Sequence, residues 1–318
     1  MPAGGAPARQ PRSTAREAAR NMTGKRRDRD EAGPPAAGAG ATDAAAGADG
    51  VRRGLYADPA VYDILYTPGT AAEVDALERI ERRLAAGPLR PDRLWFEPAC
   101  GTGRCLRVAL RRGRRVAGFD REPAMLAYAA ERLRRDGITT RAPRLFAADL
   151  ADFRPAARTA GLRDGTVDFA FVTVNTLRHL PTDRAMLAHF AQVAALLRPG
   201  GLYVVGLSLT DYQWLWPDED LWTATRGSCR VSQVVNWLPP EPGTPRGRRE
   251  RALSHLTVTR PGGTEHVDDA YDLRCYDRRQ WERLLAGSAL APAGSFDARG
   301  RPLPPGQWPY QLEALRRR

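Results

Sequence analysis

The sequence has almost no lysine: of its 49 basic residues only Lys25 is not arginine. No apolar run approaches the length of a membrane span, and the N-terminus lacks a hydrophobic signal core, so membrane-spanning and signal-bearing readings are set aside. The four cysteines (Cys100, Cys105, Cys229, Cys275) form no C-x-x-C pair. That spacing excludes a disulfide scaffold and fits a reducing cytoplasm. Histidine is equally sparse: His189 falls on a helix face and His255 and His266 in strand-like segments, with no His/Cys spacing suited to zinc. No acid cluster adjoins Asn175 either, so no metal is expected. The net charge of +12 and pI near 10.2 raise nucleic acid as a partner. Yet Arg, Ala, Gly and Pro dominate throughout and acids are interspersed, which describes a charged surface more simply than a dedicated polyanion face.

What is present divides the chain in two. Residues 1–50 are rich in Ala, Gly, Pro and Arg and poor in large apolar residues, so they cannot bury enough surface to offset ordering entropy and are expected to be disordered. Residues 51–318 read as one domain. Helical spacing in "YADPAVYDILY" and "AAEVDALERIERRLAAG" puts Val74, Leu77, Ile80 and Leu84 on one face, with Gly87-Pro88 as the stop. Strand and helix patterns then alternate from "DRLWFEP" to "LYVVGLSL", which predicts an α/β fold: a Rossmann-like, doubly wound, mostly parallel sheet. Residues 55–210 form this core. Residues 211–276 hold three β-like runs ("CRVSQVVNW", "RALSHLTVTR", "EHVDDAYDLRCY") and read as a small antiparallel β insertion or lid. Residues 277–318 supply a closing helix, "DRRQWERLLAGS", and the last strands of the sheet.

The stretch "FEPACGTGR", residues 96–104, carries the chemistry. In an open α/β sheet a ligand sits beyond the carboxyl ends of the strands, and small residues in the first β-to-α turn let the backbone approach it. Glu97 at the strand's end repels a pyrophosphate and suits a cation, so the ligand is polar and partly cationic. A dinucleotide site needs G-x-G-x-x-G, and Leu106 stands where its last Gly belongs.

This stretch resembles motif I, E/D-x-G-x-G-x-G, of the class I S-adenosylmethionine-dependent methyltransferases, with Ala99 in place of the first Gly. The resemblance extends along the chain. "FDREPAML" is similar to the family's D-x-S-x-x-M-L with Glu122 in place of Ser, "FAADLADF" to its third strand end, "NTLRHL" to the N-S-x-x-H-L of small-molecule N-methyltransferases, and "LLRPGGLYVV" to its last core motif. It implies a cofactor site of Glu97, Ala99, Cys100, Gly101 and Gly103 at the turn. Asp120 accepts from the ribose hydroxyls, Arg121 and Met125 flank the adenine, and Asp149 and the Leu150 backbone contact its edge. Asn175 borders the methionine end. Asp168, which opens the fourth strand, reads as structural. His179 is the local candidate for a general base because its ordinary pKa lies near neutrality. Among the aromatics flanking the sheet, which also include Tyr56 and Trp216, Tyr62, Tyr66, Tyr212 and Trp214 are the candidate substrate pocket.

The function implied is in-line methyl transfer from S-adenosylmethionine to a small-molecule nitrogen or oxygen, by a monomer or homodimer. Positioning supplies most of such a rate. Two alternatives stand beside it. One is a cofactor- or partner-binding module of the same fold without turnover; the other is a nucleic-acid-binding methyltransferase, whose affinity would fall steeply with salt. Against the latter, Asn175 to Arg178 do not form the D/N-P-P-Y/F of amino-directed nucleic-acid enzymes, and no cysteine has the Pro-Cys context of the cytosine class.

Overall fold

The computed structural model describes residues 54–85, 87–90, 92–136, 143–213, 215–304 and 310–318. The tail 1–50 and Trp214 lie outside the described residues.

Two helices precede the sheet. In α1 (Pro59–Tyr66) the Asp58 carboxylate accepts from the Ala60 and Val61 amides and Pro59 occupies the first turn, where its missing N–H costs nothing. Helix α2 (Thr70–Leu84) buries Val74, Leu77 and Ile80 on one face, as their spacing predicts, and stops before Gly87. The core then runs β1 (Leu94–Pro98), α3 (Arg104–Arg111), β2 (Arg115–Asp120), α4 (Pro123–Arg135), β3 (Arg144–Ala147), α5 (Arg154–Thr159), β4 (Val167–Val172), α6 (Asp183–Leu196) and β5 (Leu197–Leu207). After these come β6 (Asp218–Arg226), β7 (Cys229–Leu238), β8 (Arg249–Arg260) and β9 (Gly263–Arg274), then α7 (Arg278–Ala286), β10 (Leu290–Phe296) and β11 (Gln311–Arg317).

The main sheet has seven strands in the order β3-β2-β1-β4-β5-β11-β10. Strands β1 to β5 pair in parallel, while β11 runs antiparallel between β5 and β10. Residues along β1 and β4 are buried on both faces, which is why these strands read as continuous apolar runs. Alternation decides which core each side chain joins. Trp95, Phe169, Phe171 and Val204 pack with α2 and α3 through Leu77, Ile80 and Leu106; Phe96, Ala170, Tyr203 and Val205 pack on the other face with Phe190 of α6 and Trp281 of α7. Each fully buried aliphatic or phenyl side chain contributes about 1.5 to 3 kcal/mol.

Strands β6 to β9 form a separate four-stranded antiparallel sheet. It has one strand more than the sequence suggested. Strand β6 begins Asp218, Glu219, Asp220 and leaves Leu221 58% exposed, so it lacks the apolar alternation that betrays a strand. One face of this sheet packs Val231, Leu256 and Val258 against Val61, Ile64 and Leu65 of α1. A second difference is at β5, which starts at Leu197, directly after α6, so that "LRPGG" belongs to the strand. Asp168 lies at the sheet's other end, its Oδ2 accepting from the Leu94 amide (2.8 Å) and its Oδ1 2.8 Å from Arg198.

Candidate active site

Strands β1 and β4 are neighbours, yet the chain winds away from them in opposite directions, which opens a crevice beyond their carboxyl ends. Glu97 sits there, 6% exposed, and its Oε2 is buried with no hydrogen-bond partner among the described residues. Burial pushes this carboxyl well above the usual carboxylate range; the Arg104 guanidinium pulls it back, and Glu73 and Asp120 add to the rise. A buried polar atom without a partner is costly, and at the mouth of a crevice a ligand is one group that can complete it. The turn that follows has left-handed backbone at Ala99 (φ 51°), Gly101 (φ 52°) and Gly103 (φ 67°). Glycine accepts that conformation without strain, and alanine does not. The turn is anchored by the Cys100 amide, which donates to the Phe119 carbonyl (2.8 Å), and by the Gly101 amide, which donates to Asp120 Oδ2 (2.8 Å).

Asp120 ends β2, 8% exposed, and its other oxygen accepts from the Glu122 amide (3.0 Å). Met125 is buried in the first turn of α4, and Arg121 is exposed and pairs with Glu122 (3.3 Å). Asp149, exposed at the end of β3, accepts from the Ala151 amide (2.8 Å). Leu150 is fixed by His189 of α6. The ring Nδ1 is 2.8 Å from the Leu150 carbonyl, which can only accept, so Nδ1 carries the proton and Nε2 accepts from the Tyr203 hydroxyl (2.7 Å). Asn175 follows β4 in left-handed conformation (φ 62°), preceded by Val174 (φ 55°), a β-branched residue for which that region is an outlier. Tyr310 and Ser208 hold the pair. The Val174 amide donates to the Tyr310 hydroxyl oxygen (2.8 Å) and the Ser208 amide to Asn175 Oδ1 (2.7 Å).

From this crevice a file of aromatic rings leads to the small sheet. Tyr66 stacks on Tyr62 (4.7 Å between centroids), Tyr62 is 5.9 Å from Tyr56, Tyr56 meets His179 edge-on at 6.2 Å, and His179 lies 5.4 Å from Tyr271 of β9. Desolvation among these rings raises the phenols, Tyr66 up to about 12, although each ring keeps a partly accessible edge. Of these rings Tyr62 lines the cavity beside Glu97. His179 is the most accessible of them; desolvation, with the neighbouring Arg178 charge, pushes its pKa down to about 4, so it is neutral at physiological pH. Tyr212 is not part of this file: its hydroxyl donates to Gln280 at the start of α7 (3.3 Å), because the chain leaving β5 returns along that helix. Trp216 is 70% exposed.

Four further residues join the site that sequence reasoning did not single out. Arg104, the first residue of α3, lines the same cavity as Glu97, Tyr62 and Thr173. Asp63 of α1, fully buried, accepts from Thr102 in the turn (3.0 Å), from the Tyr128 hydroxyl (3.3 Å) and from Arg226 of β6 (2.7 Å). Tyr271 and Arg226 arrive from the insertion and carry no local signal. Arg104 and Asp63 stand inside the quoted stretches "FEPACGTGR" and "YDILY", and a charged residue within an apolar or glycine-rich motif was the available clue. All four cysteines are free. No described helix is long and apolar enough to cross a membrane.

Residues 96–201 match the family model described as "Methyltransferase domain". The match marks residues 96–201, a third of the chain, as a methyltransferase domain, and the doubly wound sheet with a crevice at its switch point is the fold around it. Among solved structures the chain is similar to DesVI from Streptomyces venezuelae, with 22% identity and a TM-score of 0.60 over 80% of this chain and 96% of that one. It is also similar to S-adenosylmethionine-bound CalS10, an amino pentose methyltransferase from Micromonospora echinaspora (22%, 0.58, 81% and 97%). A third is the sugar N-methyltransferase KedS8 from Streptoalloteichus sp ATCC 53650 (20%, 0.61, 90% and 100%). At these identities the likeness is one of fold. No curated protein sequence matches the chain.

Proposed function

We propose that this enzyme methylates the amino group of a small polar acceptor, an amino sugar or a compound of that kind. The observation that carries this reading is the ring file ending at neutral His179, between the Glu97 crevice and the small sheet. S-adenosylmethionine supplies an activated sulfonium methyl for in-line displacement.

The residues fit such a cofactor. Buried Glu97, whose Oε2 has no hydrogen-bond partner among the described residues, suits its ammonium, and the small turn Ala99 to Gly103 leaves the backbone close to it. Asp120 serves as the ribose acceptor, its carboxylate held at the end of β2 by the Gly101 and Glu122 amides. Met125 and Arg121 flank the adenine, and Asp149 and Leu150 meet its edge. Tyr56, Tyr62 and Tyr66 present π faces to positive charge, each worth about 0.5 to 2 kcal/mol. His179, neutral, accepts the proton or hydrogen bond of the acceptor amine and aims its lone pair. The sheet β6 to β9 serves as a lid that shapes the acceptor pocket and excludes water, with Tyr271 as its contribution. The amino-sugar class is favoured by CalS10 and KedS8, named as amino pentose and sugar N-methyltransferases.

The test is a methyl-transfer assay with amino sugars and their hydroxyl counterparts, following S-adenosylhomocysteine release and product mass. Transfer confined to the amino compounds is expected. Transfer to hydroxyl compounds alone would refute the amine reading, and cofactor binding with no transfer to either set would favour a module without turnover.

A further inference from the structure

We propose that Arg104 is the residue that holds the α-carboxylate at the methionyl end of the cofactor, across the cavity from Glu97; this rests on the S-adenosylmethionine reading above. That end of the ligand is a zwitterion, so a cavity that recognises it needs one anion and one cation facing the same space. Arg104 and Glu97 both line the cavity at the end of β1, together with Tyr62, Thr173 and Thr176. Arg104 is the one cation among the described residues lining it. The acids acting on that space are three, Glu97, Glu73 and Asp120, and a ligand with a sulfonium and an ammonium against one carboxylate has the complementary sign.

The guanidinium is buried and held in place from behind. Its Nη1 donates to Thr70 Oγ1 (3.2 Å) and to a Glu73 oxygen, and its Nη2 donates to Glu73 Oε1 (3.1 Å), both partners lying on α2. A guanidinium carries five N–H donors in a planar fork, and these contacts leave donors for a second carboxylate. Thr70 and Glu73 thereby fix the plane of the fork, an arrangement in which little side-chain freedom is lost on binding.

The experiment compares two ligands by calorimetry on the full chain. S-adenosylhomocysteine carries the amino-acid end, and 5′-methylthioadenosine lacks it. Replacing Arg104 by Lys, or by Gln, is expected to weaken S-adenosylhomocysteine roughly 10- to 100-fold, the range for a bond between charged groups, and to leave methylthioadenosine within about twofold. Equal losses for both ligands, or no loss for either, would overturn the assignment and return Arg104 to a purely structural role. Should both variants fail to fold, wild-type protein is tested with decarboxylated S-adenosylhomocysteine. A loss of the same size supports the proposal, and undiminished affinity refutes it. Wild-type protein that binds neither nucleoside would instead take down the cofactor reading itself, an outcome distinct from a loss confined to the Arg104 variants.

Discussion

Ala99 stands in left-handed backbone at a position where the resembling motif has glycine. That conformation costs an L-residue about 1 to 2 kcal/mol, against about 0.5 to 1 kcal/mol of extra chain entropy that a glycine loses on folding. Ala99→Gly should therefore raise stability by roughly 0.5 to 1 kcal/mol, visible as a higher melting temperature, with cofactor affinity kept. A lower melting temperature would mean that the methyl group contributes packing worth more than the strain. At His179 the expectation concerns rate. His179→Gln should cut kcat by about 10²- to 10⁴-fold with S-adenosylhomocysteine affinity unchanged. Because the pKa of His179 is lowered to about 4, the proton-accepting form persists from neutrality down to that value. The acid limb of kcat owed to this residue should fall near pH 4, while a limb closer to neutrality that survives His179→Gln belongs to the acceptor amine. The placing of Glu97, Asp120 and Asp149 at or just beyond the ends of β1, β2 and β3 was legible, because a strand pattern closes at each of them. Arg104 was not, since its role depends on Glu73, which another helix brings to it.

At the scale of elements, Asp63 ties α1 to the glycine turn through Thr102, to α4 through Tyr128 and to the insertion through Arg226. Removing its charge strands Arg226 and Arg132, both partly buried, and leaves the hydroxyl donors a weaker acceptor. Asp63→Asn should cost roughly 3 kcal/mol, the lower end of the range for breaking a buried pair because the cations retain some water. Thr102→Val, which drops one neutral donor, should cost about 1 kcal/mol. Denaturant unfolding of both variants checks the order; equal losses would mean that the charge on Asp63 is not what joins these elements. The strands and helices of the core were legible because hydrophobic period and turn residues agree there. Strand β6 was not: its register with β7, not its own composition, makes it a strand, since pairing from Asp218 with Trp237 to Arg226 with Cys229 supplies bonds its few buried side chains could not replace. Tyr271 reaches the site only through that same sheet, which no local pattern can announce.

For the whole molecule, the pH dependence of stability divides into windows. His189 is buried and held neutral, its pKa lowered to about 4 chiefly by desolvation. The unfolded chain binds this proton near pH 6.5 and the folded one only near 4, so unfolding takes up a proton between those values and stability falls as pH drops through them. The contribution at stake is up to about 3 kcal/mol. Glu97 and Glu313, whose folded pKa values are raised, act with the opposite sign as pH climbs above the usual carboxylate range. The histidine's share is accordingly read as a difference. The stability advantage of wild type over His189→Gln, measured by urea unfolding, should be largest near pH 7 and shrink toward pH 4. A constant advantage across that range would show that the ring titrates normally. Below it, Asp183 and Asp136, held low by their arginine partners despite partial burial, lose their contribution as they protonate.

Strand β11 occupies an interior place in the sheet, between β5 and β10, with Gln311 to Leu315 all buried. During synthesis the chain emerges from its N-terminal end. Strands β1 to β5 can pair early, yet the outer edge of β5, with Leu202, Val204 and Val205, stays uncovered until residues 311–317 leave the ribosome and slot in. For that interval the nascent protein carries an open, apolar strand edge of the kind that recruits other chains. The sheet therefore closes only after the ribosome has made β11.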